Sequence, residues 1–289
     1  MYVAVRDAML RHVNKTDPWA AMKELGVSSV EVDVSRKMET KGFPDDGGKP
    51  YNLADAASVA KMKKDFAAHK MSICALLMGN DFSRADLDAE IKWTVDTAKT
   101  AKALGVKIVR VDMLPHEKKL TAEEFLPICI GAMQKVIEST RDTGVAFAVE
   151  NHGAVANKPE FLQTLFDKLP ADCFGHTFDT GNFYWWGFTL EEVYGIMERF
   201  APRAKHTHVK NIRYPEDMRN KRREIGCKYG EYVSPIYEGD IDHSKVVAIL
   251  KKAGYRGPLT VEDESLDKFK GAEQIEVLKK DVAHLAGML

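Results

Sequence analysis

Apolar and polar positions along the chain switch period at regular intervals. Short runs of small and β-branched residues with two-residue alternation are separated by longer stretches whose apolar residues recur at helical spacing. The runs fall near residues 2–6, 29–34, 72–77, 107–112, 145–150, 174–179, 204–210 and 258–263. Between them, sets such as Leu87, Ile91, Val95 and Ala98, or Ile275, Leu278, Val282 and Leu285, share one helical face. Four junctions repeat one grammar: Gly26, Gly105, Gly144 and Gly254 each close a helical stretch just before a β-branched run. A glycine there can end a helix in the left-handed conformation that other residues resist. Thr189 with Glu192 spells a capping box opening the helix after the sixth strand. Eight strands alternating with eight helices predict an α/β fold, a single (β/α)8 TIM barrel, because closure leaves no unpaired sheet edge. No composition break marks a linker, so residues 1–289 are expected to form one domain.

Alternation also assigns faces. In VEVDV, Val30, Val32 and Val34 oppose Glu31 and Asp33; in IVRVDM, Val109 and Val111 oppose Ile108, Arg110 and Asp112. The apolar face must meet the helices, which turns the polar face toward the lumen. Carried through, this predicts a lumen set at the strand ends of Asp33, Asp112, Glu150, Asp179, His206, His208, Lys210, Glu262 and Glu264. Active sites of such barrels sit at that rim. So many carboxylates repel one another, and Arg110 and Lys210 are the only fixed cations in the set. A bound cation is expected to resolve the conflict. Glu150, Asp179, His208 and Glu262 offer three carboxylates and one imidazole, a donor mix suited to Mn²⁺, Mg²⁺, Co²⁺ or Zn²⁺.

Composition narrows the function. A formal charge of −1 gives no general reason to bind nucleic acid or an anionic membrane. No apolar run is long enough to span a membrane, and MYVAVRDAMLRH lacks the basic-then-apolar layout of a signal peptide, so a cytoplasmic location is expected. Cys74, Cys129, Cys173 and Cys227 lack pairwise spacing and are expected to be buried free thiols. Two long rim connections, Ser35 to Asn52 and Asn211 to Asp242, are expected to act as lids or subunit contacts, with a homo-oligomer, most simply a dimer, as the consequence. The second carries a basic run, Met218 to Glu224, which reads as a solvated charged turn or as a grip for an anionic substrate group.

The four polar strand ends AVENHG, FDTGN, HTHVKN and TVEDE also resemble, in order, the motifs of the xylose-isomerase-like TIM-barrel superfamily, the sugar phosphate isomerase/epimerase group that includes ketose 3-epimerases, hydroxypyruvate isomerases and inosose dehydratases. The resemblance implies that Glu150, Asp179, His208 and Glu262 hold one divalent ion, with Mn²⁺ foremost, and that Glu150 and Glu262 double as the acid/base pair. It implies a metal-dependent isomerase or epimerase working on a small sugar or keto-sugar by proton transfer through an enediolate. The alternative is a lyase or dehydratase on a keto-sugar, keto-glycoside or inosose. Two positions depart from the pattern: Asn182 stands where many relatives place a histidine, and Arg213 lies five residues after His208 where the 3-epimerases place an arginine six after. Asn182, Arg213, Lys210 and His152 are candidate substrate contacts. His206, one layer below His208, is expected to hold a carboxylate in place. Trp185 and Trp186 offer either a wall for a sugar ring or simple packing. A DNA-repair nuclease of the endonuclease IV type shares the barrel but needs more metal histidines and a basic face, and nine histidines in a near-neutral chain show neither.

Overall fold

The computed structural model describes residues 1–289. Its barrel strands are β1 (Tyr2–Arg6), β2 (Ser29–Asp33), β3 (Ser72–Leu77), β4 (Ile108–Val111), β5 (Ala146–Glu150), β6 (Phe174–Asp179), β7 (Ala204–His208) and β8 (Pro258–Val261). All eight pair in parallel, in the order β8-β1-β2-β3-β4-β5-β6-β7. The ring closes through one further bridge, Val209 to Val261. The barrel expected from alternating periods is therefore present, with each strand within a residue or two of its predicted range.

The local causes are those the sequence suggests. Gly26, Gly105, Gly144 and Gly254 all take positive φ, at 68°, 82°, 66° and 84°, and each turns the chain from helix toward a strand. Asp17, Asp55 and Asp86 cap helices Pro18–Leu25, Ala56–Ala68 and Leu87–Leu104 by accepting from backbone N–H groups. Thr189 and Glu192 form the expected capping box at Leu190–Phe200, and Thr121 with Glu124 forms another at Ala122–Ser139. Val30, Val32, Val34, Val109 and Val111 are fully buried in the layer between strands and helices. The opposite faces carry Glu31 and Arg110 into the lumen, both buried.

The long connections are not structureless. Residues after β2 fold back as an antiparallel hairpin, Glu39–Pro44 with Pro50–Asn52. After β7, Asn211–Ile212 pairs with Val233–Ser234, and between them lie a 3-10 turn, Glu216–Met218, and a short helix, Tyr229–Tyr232. The basic run is spent on the protein itself. Arg219 pairs with Asp240 at 2.9 Å, Arg222 with Glu192 at 2.6 Å and Lys221 with Asp217 at 3.7 Å, while Arg223 donates to backbone carbonyls. All four cysteines are free, but only Cys129 is buried; the other three are partly exposed, which corrects the expectation of four buried thiols. No helix is long and apolar enough to cross a membrane.

Candidate metal centre

Four strands end in a polar residue at one rim. β5 ends on Glu150, β6 on Asp179 and β7 on His208, and Glu262 follows β8 directly. These are the four residues the strand pattern predicts at the rim, and the fold brings them together: one ligand atom from each lies within 4.8 Å of every other. All four residues are buried. His208 Nδ1 stands 3.0 Å from a Glu150 oxygen and 3.2 Å from Glu262 Oε2. Three of the converging atoms, Asp179 Oδ2, His208 Nδ1 and Glu262 Oε2, are buried without a hydrogen-bond partner. Buried polar atoms are seldom left unpaired, and an oxygen-rich set with one imidazole suits a hard or borderline divalent ion. The residues therefore fit a cation.

Fixed charges surround the donors. Arg110 grips Glu150 through Nε at 2.7 Å and through Nη2, and reaches Asp112 at 3.0 Å. Arg6 pairs with Glu262. Lys210 Nζ lies 3.3 Å from Asp179, 3.3 Å from Glu262 and 2.6 Å from Glu264. Arg6 is a third rim cation, absent from the charge count above, so carboxylate crowding by itself argues less strongly for a metal than the orphaned donor atoms do. Burial opposes ionisation of Glu150, but Arg110 and then His208 outweigh it and hold the carboxyl well below its ordinary range. For Glu262, burial is likewise outweighed, by His208, Lys210 and Arg6. Asp179 differs: burial dominates the attraction of Lys210 and pushes it up to about 7.

Asp179 is nonetheless rigidly held, since its Oδ1 accepts from the N–H groups of Gly181 at 2.8 Å and Asn182 at 2.7 Å. The Asn182 amide in turn donates to Glu150 at 3.0 Å. His152 Nδ1 sits 3.0 Å from Asp112, and this carboxylate raises the imidazole above its ordinary value although burial works the other way. His152, Asn182, Trp185, Lys210, Tyr229 and Glu264 line a cavity of about 170 Å³ beside the donors. Trp186 instead stacks on Phe188 with centroids 4.8 Å apart, and its indole N–H donates to Ala154. Arg213 stands outside this group: its side chain is exposed and joins none of the ion pairs around the donors, while its backbone N–H donates to Tyr232.

Three contributors were not singled out from sequence. Arg6 shares the inward face of β1 with Ala4, and two-residue alternation carried back to the N-terminus would have found it. Glu31 lies on the lumen face with Asp33 but in mid-strand, away from the expected rim. Tyr229, whose hydroxyl donates to Glu264 at 2.5 Å, comes from a connection without periodicity.

An inosose dehydratase from Clostridium perfringens (strain ATCC 13124) is 22% identical over 261 residues, covering 84% of this chain and 85% of that protein. Among solved structures, an IOLI protein with a binding zinc atom superposes with a TM-score of 0.70 at 19% identity, over 99% of this chain and 98% of that one. An L-ribulose 3-epimerase superposes at 0.69 and 14% identity, over 100% and 95%. Structural likeness at such identity speaks to the fold. Residues 19–286 match the model of the family described as xylose isomerase-like TIM barrel, and the chain belongs to that family.

Proposed function

We propose that this chain is a divalent-metal-dependent enzyme acting on a small sugar or keto-sugar, as an isomerase or epimerase, with proton transfer by glutamate through an enediolate. One observation carries the reading: Glu150, Asp179, His208 and Glu262 bring ligand atoms within 4.8 Å of one another, and Asp179 Oδ2, His208 Nδ1 and Glu262 Oε2 have charged neighbours but no hydrogen-bond partner. Glu150, Asp179, His208 and Glu262 would hold the ion, Mn²⁺ by preference, with Mg²⁺, Co²⁺ and Zn²⁺ as the other choices. When bound, such an ion polarises a carbonyl and acidifies the adjacent C–H.

The chain's own residues supply the rest. Glu150 and Glu262, from strands on either side of β6 and β7, flank the substrate carbon and are held ionised by Arg110 and Arg6, so either can take a proton. The Lys210 ammonium, buried among carboxylates, stabilises the oxygen that gains charge. His152 and Asn182 donate to substrate hydroxyls, and Trp185 walls the cavity. Arg213, exposed at the edge of the connection after β7, contributes only to a substrate large enough to reach it. Delivery of a different proton to the opposite face of the same carbon epimerises, and for this route the second glutamate takes up a proton from solvent before the step while the first keeps the one it removed. Transfer to the neighbouring carbon isomerises.

Elimination of a β-substituent from the same carbanion is the second reading, as in a lyase or dehydratase. It is favoured by the relatives named inosose dehydratase, which align over most of the chain. An endonuclease IV type nuclease has no support in the rim's basic residues, which are committed to internal partners. The protein is read as one barrel domain over 1–289, cytoplasmic, and as a homo-oligomer using the Asn211 to Asp242 connection.

The test is NMR of ketohexoses and inososes in D₂O with the metal-loaded protein. Deuterium should enter at the abstracted position, and Glu150→Gln and Glu262→Gln should each lower turnover by roughly 10²–10⁴-fold. Turnover that retains the substrate hydrogen would point to a hydride shift and overturn the proton-transfer assignment.

A further inference from the structure

Behind the four donors, one of them, His208, belongs to a second buried polar group with Glu31 and His206, two side chains that the proton-transfer chemistry does not use. Glu31 rises from the middle of β2, and one of its oxygens, Oε2, lies 2.7 Å from His208 Nε2. The other, Oε1, lies 2.9 Å from Nε2 of His206. Both histidines project from the lumen face of β7, two residues apart, with ring centroids 5.6 Å apart and planes at 78°. Arg6 Nε stands 3.8 Å from the same carboxylate. Glu31, His206 and His208 are each buried to within 1% exposure.

This group is a poor device for stability alone. Taking a carboxylate and two imidazoles out of water costs several kcal/mol, and apolar residues of similar volume commonly do as well or better in that role. What the arrangement does accomplish is a choice of atom. An ionised carboxylate only accepts hydrogen bonds, and a neutral imidazole carries one N–H. Once His208 gives up a proton, as ligation requires, Glu31 against Nε2 keeps the remaining one on Nε2, and Nδ1 is left with a free lone pair. Nδ1 is the nitrogen that faces Glu150 and Glu262.

We propose that Glu31 is a positioning residue for the metal centre: it fixes the tautomer and ring plane of His208 so that Nδ1 is the ligating atom, while His206 Nε2 lies beside its second oxygen. The role rests on the metal reading given above. It is the arrangement by which a carboxylate behind a ligating histidine orients the ring and strengthens it as a donor. Glu31→Gln tests it sharply, because its amide NH₂, placed where either carboxylate oxygen now lies, stands against an imidazole nitrogen, Nε2 of His208 or of His206.

Zinc affinity of the full chain, measured by competition with a chromophoric chelator, should fall about 10–100-fold in Glu31→Gln. Asp179→Ala, which removes a ligand outright, serves as the reference for a lost donor. Equal zinc affinity in wild type and Glu31→Gln overturns the positioning role and leaves the metal reading standing; a wild-type chain that binds no zinc overturns both. Should Glu31→Gln not fold, ¹⁵N NMR of the zinc-loaded wild type decides directly. His208 protonated at Nε2 with Nδ1 on zinc is the expected signature, and zinc on Nε2 overturns the proposal.

Discussion

Asp7 shows how a single buried carboxyl at the rim shapes the pH response. It follows β1, is 2% exposed, and accepts from the backbone N–H of Asp33 at 2.9 Å and of Gly42 at 3.3 Å. Burial outweighs those hydrogen bonds, with the neighbouring Asp33 charge adding to it, and the carboxyl is pushed up to about 7 from an ordinary 3.8. Below 3.8 the group is protonated whether folded or not and contributes nothing. Between 3.8 and 7 the unfolded chain releases the proton while the folded chain keeps it, so stability declines as pH rises, and above 7 the penalty is complete. Asp7→Asn should therefore be more stable than wild type by about 2–4 kcal/mol above pH 7 and indistinguishable from it near pH 4, by denaturant unfolding across that range. Parallel stability curves for the two proteins would show that Asp7 is ionised in the fold. At this scale the convergence of the four proposed donors was readable because each stands at the end of a strand run or directly after it, where the barrel gathers polar side chains at one rim. Arg6 and Glu31 were not, since alternation assigns a face but does not say which charge meets which. Only three-dimensional placement pairs Arg6 with Glu262 and Glu31 with two histidines.

Elements with periodicity were legible and the rim connections were not. The hairpin after β2 and the ribbon after β7 are stabilised by side chain to backbone contacts that leave no repeating pattern in the sequence. Arg223 is the clearest case. Its guanidinium donates to the carbonyls of Met218 at 2.7 Å, Lys221 at 2.8 Å, Phe188 at 2.7 Å and Tyr184 at 3.2 Å. It also lies over the rings of Tyr184 and Tyr214, 4.5 and 4.2 Å from their centroids. Gly187 makes the approach possible, because a Cβ there would stand 2.2 Å from the Arg223 carbonyl oxygen. A run read from sequence as solvated charge or an anion grip is thus the clamp that ties the connection to the short helix Asn182–Trp186. Arg223→Ala should cost roughly 2–4 kcal/mol, since four carbonyls lose a charged donor. Amide exchange should quicken from about residue 214 to 229 while zinc affinity holds. Arg223→Lys should not restore protection, because a point charge cannot span four carbonyls. Unchanged exchange in the alanine variant would show that the connection is held elsewhere.

Closure is the property of the whole molecule that the repeat count implied but could not describe. Seven of the eight seams are ladders of two or more register pairs, two of them with a register shift; β1 and β8, for example, share four pairs from Tyr2 and Pro258 to Val5 and Val261. The eighth, between β7 and β8, has a single bridge at Val209 and Val261, with backbone bonds from Val209 to Thr260 at 2.8 Å and from Glu262 to Val209 at 3.0 Å. A side chain supplies what that ladder lacks: the Thr207 hydroxyl donates to the Pro258 carbonyl at 2.8 Å and accepts from the Thr260 N–H at 3.2 Å. In sequence Thr207 is one more β-branched residue in a strand, and nothing distinguishes it from filler. In the fold it stands next to His208 and across the seam from the strand that delivers Glu262, so barrel closure and the spacing of two proposed metal donors depend on the same hydroxyl. Thr207→Val keeps shape and strand propensity while leaving the buried Thr260 N–H without its acceptor, the Pro258 carbonyl keeping the Tyr255 hydroxyl as a donor, a loss of about 1–3 kcal/mol. Native-state hydrogen exchange should report it locally, with the amides of Val209, Thr260 and Glu262 losing protection before those of β3 to β5. A uniform loss of protection around the ring, or none at all, would mean that the β7–β8 seam opens only with the whole barrel and that the single bridge suffices to close it.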